Sequence, residues 1–596
     1  MRSPGQLPAG AGGELPAGTL VGVALEHEHV VLLHDGDAPG WRVPLGQAPA
    51  AMSRLDTSAG LRWVWWSAGT VVPQLLRIDP SLRLARCWDL AAVHRLLHGG
   101  SRDHPSEIWC AAYGLDIHSA PRSGQLDLLG LDGDTPSAGL ADDDGSPQEP
   151  VRPDGYLRPD WLAGGWRSSP VRARHWAALA LEVARRQLSA LSAVPSRGDP
   201  LHCARAESAA ELFSVELAAE GLPVDRAVAE DTIASIVGRR PLDEADEKVL
   251  RSARDRVVLD TVPTAGSVDL RSPAQVKELL GRTGFDLPDT RSWRLEPLAG
   301  THPLIGALLA WRRAERVAST YGYRWLDQHL AADGRLRGAW SGSDGGAGRM
   351  TAQAGLHSMP RELRTAVRAA PGHLLVRADL GQVEPRVLAA ISGDHGLARA
   401  ARADDLYADV AAALRCERPV AKIAVLAAMY GQTSGAAGEA LRDMERTYPA
   451  AIRFLQEAAL EGKAGRDVLT YGGRRVRMWH LDPLSPTADE TAAGSHEAAL
   501  AARGRFARNA VVQGSAAELF KAWTATVRAR LAAERSGSLV LCLHDELLLH
   551  VREDAAEQVG RDVVTDLEAT ATRWSSSGVR FVADVAVVER WSQAKG

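Results

Sequence analysis

Three stretches of this chain carry side chains whose types and spacing could serve a single chemistry. Arg418, Lys422, Leu426 and Tyr430 recur at i, i+4, i+8 and i+12. At about 3.6 residues per turn each step drifts by only about 40°, so a helix would lay them along one stripe. Pro419 suits a first helical turn, where its missing N–H costs nothing, and this puts Arg418 beside the positive end of the helix dipole. Two cations one turn apart at that end form a dock for a triphosphate, and Tyr430 lies further along the face, where a base could stack. The chain holds only six lysines among its 69 basic residues. Lys422 therefore stands out, and its compact ammonium suits a phosphate as a point charge. Asp379 and Asp545 supply the complementary groups. Two carboxylates drawn together from distant segments are what a pair of Mg²⁺ ions requires, with substrate phosphates and water completing the coordination. Taken one at a time, each stretch reads as ordinary solvated surface; their combination points to chemistry.

The elements that must position these groups are legible around them. Leu374-Leu375-Val376 opens an apolar run that reads as a buried strand ended by Asp379, with Pro385 opening the helix that follows. The apolar runs 539–543 and 547–551 are interrupted by His544, Asp545 and Glu546, a pattern that predicts a hairpin with Asp545 at its tip.

In this order the three segments resemble the motifs of the family A, DNA polymerase I-like, DNA polymerases. The first motif is similar to Asp379-Leu380-Gly381-Gln382-Val383-Glu384-Pro385-Arg386, the second to Arg418 through Gly431, the third to His544-Asp545-Glu546. Gly348-Arg349-Met350-Thr351, with Leu356 to Pro360 behind it, resembles the segment entering the palm. Tyr471-Gly472-Gly473-Arg474-Arg475 resembles the Gly-Arg-Arg stretch, and Val585 to Trp591 the usual C-terminus. Arg505, Asn509 and Gln513, followed by Gly514 to Glu518, match the helix that touches the template-primer. The likeness covers roughly residues 205–596. It departs at Leu380 and Gly381, where Tyr and Ser are usual, at Pro385, and at Leu426-Ala427, where an aromatic residue precedes Gly.

The resemblance implies a mixed α+β, α/β multidomain chain: a right-hand polymerase of palm, fingers and thumb. It would add deoxynucleotides to a primer 3′-OH on a DNA template, in replication-associated repair. Asp379 and Asp545 would bind two Mg²⁺ ions, with Glu546 supporting. Arg418 and Lys422 would hold the triphosphate, Lys422 also protonating the leaving group. Gln382, Glu384, Leu426 and Tyr430 would contact the nucleotide: Leu426 beside the sugar, Glu384 as a gate against ribose, Tyr430 stacking on the template base. Arg349, Arg505, Asn509, Gln513 and His544 would touch primer-template DNA. The departures bear on sugar selection and fidelity rather than on the chemistry.

The rest of the chain sets bounds. A net charge of −5 is not that of a protein that coats DNA by charge alone, so the cations must act locally. Arg474, Arg475, Arg477, Arg503, Arg505, Arg508 and Lys521 cluster between the second and third motifs as a candidate DNA-facing patch. Cysteines at 87, 110, 203, 416 and 542 show neither CxxC nor zinc spacing, so no disulfide framework or zinc site is expected. Met1 to Gly18 holds no apolar signal core, and no run approaches the roughly 18 apolar residues of a membrane span. A cytoplasmic, nucleoid-associated monomer without a membrane partner is expected.

Composition divides the chain. Residues 1–116 hold strand patterns at Leu20 to Leu25 and Val30 to Leu33, a Trp-rich run at Trp63 to Trp66, and helical stretches after Asp89. Residues 117–160, rich in Ser, Gly, Asp and Pro, read as a flexible linker. Then come a helical connection and thumb at 161–340, the thumb from about 205, a first palm part at 341–405, fingers at 406–499 and a second palm part at 500–596. By position, the first domain resembles the family's ribonuclease H-like 3′–5′ exonuclease. That chemistry needs an Asp-x-Glu on the first strand and further aspartates to clamp two metals. No such set is found. Pro73-Gln74 falls where the second acidic motif belongs, and no Tyr-x-x-x-Asp follows. The nearest candidates, Asp35 with Asp37 and Asp89, read as a turn and a helix cap. A vestigial domain kept as a packing platform is expected, without room for a 5′-nuclease domain. Two alternatives stay open: a bifunctional polymerase with an active exonuclease, and a non-catalytic DNA-binding paralogue.

Overall fold

The Val- and Leu-rich runs near the N-terminus form the strands that their patterns predict. In the computed structural model, which describes residues 15–34, 40–121, 149–263, 266–431, 436–478, 493–543 and 545–594, β1 (Leu20–Leu25) and β2 (His29–His34) are antiparallel, with Val21 opposite His34 and Leu25 opposite Val30. β3 (Trp41–Pro44) joins β2, while β4 (Arg62–Trp65) and β5 (Cys87–Asp89) run parallel, giving the order β3-β2-β1-β4-β5. Trp63, Trp65 and Trp88 are completely buried in this sheet's core. α1 (Ala68–Ile78), which contains Pro73, and α2 (Leu90–His98) follow β4 and β5. Asp89 sits between β5 and α2. Its carboxylate accepts from Ala92 N at 2.9 Å and from Ala68 N at 2.6 Å, so it closes the open N–H groups of both helices. Asp35 and Asp37 lie outside the described residues. α3 (Pro170–Leu191) and α4 (Pro200–Glu220) complete this core; Trp88 Nε1 donates to Gln187 Oε1 at 2.9 Å.

The chain divides into two units, Met1–Glu220 with Ala339–Thr351 and Val376–Val587, and Gly221–Gly338 with Ala352–Leu375 and Val588–Gly596. A second sheet carries the acidic motifs: β6 (His373–Gly381), β7 (Gly537–Cys542), β8 (Glu546–Arg552) and β9 (Val582–Val588), in the order β7-β8-β6-β9. β7 and β8 form the predicted hairpin, with Cys542 opposite Leu547 and Leu543 N donating to Glu546 O at 2.8 Å. β6 differs from expectation. It runs two residues beyond Asp379, and α5 (Val383–Ile391) starts before Pro385. Leu380 N finds a partner in Asp545 O at 2.7 Å, which prolongs the strand. Pro385 is tolerated as the third helical residue because first-turn N–H groups have no intrahelical acceptor. Gln382, with φ of +55°, turns the chain between the two. The 42-residue α8 (Ala493–Glu534) packs on α9 (Ala556–Trp574), with Trp523 Nε1 donating to Val563 O at 3.0 Å.

The second unit is mainly helical. Helices Glu244–Leu259, Pro273–Arg282 and Pro303–Thr320 enclose Val258, Val276, Leu279, Leu304, Leu308 and Trp311. Ser272 and His302 cap the second and third of these helices through their side chains. Among the described residues no helix is long and apolar enough to cross a membrane.

Candidate active site

The hydrogen bond from Leu380 N to Asp545 O ties the hairpin tip to the strand one residue from Asp379. The two carboxylates thus share one neighbourhood. Burial, then the charge of Asp545, pushes the Asp379 carboxyl up to about 6, and Arg377 only partly offsets this. Arg377 bonds to Asp379 and lies 3.0 Å from Glu546 and 3.9 Å from Asp584. Burial alone would lower its pKa, but these acids, Glu546 foremost, raise it. The donors here are hard carboxylate oxygens that repel one another, which suits Mg²⁺-type ions rather than soft metals. Among the described residues no three His, Cys, Asp or Glu side chains converge into a complete metal cage. Any ion held by Asp379 and Asp545 would need oxygens from substrate and water.

The cation stripe forms as its spacing predicts. α6 (Leu406–Leu414) precedes α7 (Arg418–Tyr430), which ends on Gly431 in the left-handed conformation. Arg418 and Lys422 are exposed, Leu426 and Tyr430 half-buried. Arg418 Nε bonds Asp405 Oδ2 at 2.5 Å, which holds that carboxyl below the usual range. Asp405 caps α6 and accepts from Gln382 Nε2 at 2.7 Å. Gln382 Oε1 in turn accepts from Leu406 N and Arg386 Nη2. Arg386, completely buried, donates to the carbonyls of Ala401, Ala403 and Asp404. The turn after β6 therefore anchors the acid that steers Arg418.

Glu384 is fixed from two sides, by Arg349 Nη2 at 2.8 Å and the Tyr430 hydroxyl at 3.0 Å. Burial, then Glu384, raises the Tyr430 hydroxyl to about 12. Gly348, with φ of +82°, precedes Arg349; a Cβ there would overlap the Arg474 guanidinium, so glycine permits the close approach. On α8, Arg505 is exposed beside Gly431, and Asn509 and Gln513 are half-buried. His544 lies outside the described residues.

The basic patch expected between the second and third motifs does not form as one surface. Arg474 and Lys521 are buried and both pair with Glu207. Burial opposes ionisation of Glu207, yet the two cations hold its pKa below the ordinary value. Arg475 and Arg477 donate to the carbonyls of Leu97 and His98 at the end of α2, where the helix dipole is negative. Arg508 is buried, and that lowers its pKa. Arg503 donates to Lys463 O at 2.8 Å. Sequence proximity of like charges could not reveal this, because Glu207, Leu97 and His98, the acceptors for Arg474, Lys521, Arg475 and Arg477, come from α4 and α2, hundreds of residues away.

Arg377, Asp584, Asp405 and Tyr407 were not singled out by sequence reasoning. Arg377 stands two residues before Asp379, which is a usable signal. Asp405 and Tyr407, whose ring lies 5.7 Å below the Arg418 guanidinium, carry none beyond a helix cap.

The mixed α+β, multidomain fold matches that of a family A polymerase domain. Residues 244–593 match DNA polymerase family A, and the chain belongs to that family. It is 30% identical over 340 residues to DNA polymerase I of Chloroflexus aurantiacus, which covers 50% of this chain and 35% of that protein. Thermostable DNA polymerase I of Thermus aquaticus is 27% identical over 329 residues, 50% of this chain and 38% of its own. The chain thus spans little more than a third of the length of these curated relatives. The structure is similar to the POL domain of Pol1 from M. smegmatis in complex with DNA primer-template and dNTP, with a TM-score of 0.62, 18% identity and full coverage of both chains.

Proposed function

We propose that this protein is a DNA-templated DNA polymerase that adds deoxynucleotides to a primer 3′-OH, acting as a monomer on nucleoid DNA during replication-associated repair. One observation carries the reading: the Leu380–Asp545 hydrogen bond brings two carboxylates from distant segments together, next to an element that also anchors the cation stripe. The ligands in the M. smegmatis structure, a primer-template and a dNTP, support the choice of substrates. Asp379 and Asp545 would hold two Mg²⁺ ions, which when bound would lower the pKa of the primer hydroxyl and neutralise the triphosphate. Arg418, released from Asp405, and Lys422 orient the phosphates, and Lys422 gives a proton to the leaving pyrophosphate. Glu384, held rigid by Arg349 and Tyr430, forms the wall against a ribose 2′-OH. Arg505, Asn509, Gln513 and His544 bear on the primer-template, and Leu426 on the sugar. Thumb, palm and fingers take the boundaries given above.

The N-terminal domain is assigned a scaffolding role. The support is Asp89, whose two oxygens are engaged in capping α1 and α2, and the contact of Arg475 and Arg477 with the end of α2. Extension of a 5′-labelled primer with Mg²⁺, with and without dNTPs, tests the whole reading. Longer products with dNTPs and an unchanged primer without them are expected; no extension would refute it.

A further inference from the structure

On the same strand as Asp379, and two residues before it, Arg377 is buried among acids with its side chain 4% exposed. Its Nη2 donates to Asp379 Oδ2 and reaches Glu546 Oε2 at 3.5 Å. Nε lies 3.0 Å from Glu546 Oε1 and Nη1 lies 3.9 Å from Asp584 Oδ2. Residues i and i+2 share a face of a strand, so the guanidinium and Asp379 project together. The guanidinium thereby bridges β6 to the neighbouring β8. A cation bonded to a carboxylate fixes that carboxylate and also opposes a second cation on it.

We propose that Arg377 is a positioning residue of the carboxylate centre: it holds Asp379 and Glu546 together before any metal arrives, engages Glu546 itself, and keeps the divalent-ion affinity of the centre low until a nucleotide supplies further negative charge. This rests on the reading of Asp379 and Asp545 as metal ligands.

The test is a Mn²⁺ titration of the full chain bound to primer-template DNA without dNTP, followed by the electron paramagnetic resonance of free Mn²⁺, so that no turnover is needed. Arg377→Met should bind Mn²⁺ about tenfold more tightly than the unaltered protein, the order expected for removing a charge this close. Arg377→Lys, which keeps the charge, should stay near the unaltered affinity. Equal or weaker binding by Arg377→Met, or the same tightening in Arg377→Lys, would overturn the proposal. Asp379→Asn is the separate control: if it bound Mn²⁺ as well as the unaltered protein, the metal reading itself would fall. If Arg377→Met does not fold without metal, its melting temperature should climb with Mn²⁺ more steeply than that of the unaltered protein; a melting temperature indifferent to Mn²⁺ would count against the idea.

Discussion

The carboxyl of Asp379 is raised to about 6 by burial and by Asp545, and this has two consequences. In the metal-free protein the folded state binds the proton more tightly than the unfolded chain, whose Asp titrates near 3.9. The associated stability is full below that value and is lost as pH rises through about 6. Asp379→Asn should therefore stabilise the metal-free protein more at pH 8 than at pH 5. The expected difference is about 1 kcal/mol after solvent screening, measured by urea unfolding. Metal affinity should fall as pH drops below about 6, because the ligand must be deprotonated. The cations give a kinetic prediction. Lys422→Ala should chiefly lower the rate of incorporation and Arg418→Ala chiefly raise the dNTP concentration required, since a lost charge-assisted bond costs roughly 1.5–3 kcal/mol. Single-turnover kinetics over a range of dNTP separates the two. The stripe containing both was legible because helical period alone aligns it. Asp405, which engages Arg418 at 2.5 Å, was not, because its relevance arises only when the turn at Gln382 folds back on the cap of α6.

At the scale of elements, the hairpin and the strand before Asp379 followed from local pattern. The misread features were those decided by tertiary partners. β6 continues past Asp379 because Asp545 offers its carbonyl to Leu380. Lys521 and Arg474, read as surface cations, are buried against Glu207 on α4. Breaking such a group leaves an uncompensated buried charge. Glu207→Gln should therefore cost about 3–5 kcal/mol, whereas Arg446→Ala, which removes an exposed cation paired at i,i+3, should cost under about 1 kcal/mol. Chemical denaturation of the two variants would check this.

At the scale of the whole molecule, three of the five strands of the N-terminal sheet, β1, β2 and β4, were legible from the Val- and Leu-rich runs and the Trp-rich run, while β3 and β5 were not. Asp89, the one described acid among the nuclease candidates, is engaged with two backbone N–H groups. A labelled single strand incubated with Mg²⁺ and no dNTPs should remain intact; shortening by the full-length protein that disappears when residues 1–160 are removed would show a divergent nuclease centre. Asp379 and Asp545 are proposed to form one metal-dependent catalytic centre. The most direct measurement is single-nucleotide incorporation by Asp545→Ala, with primer-template affinity measured on the same preparation. Incorporation should be abolished while DNA binding is largely retained, because the carboxylate would hold metal and hardly touch DNA. Incorporation at a rate near that of the unaltered protein would contradict it.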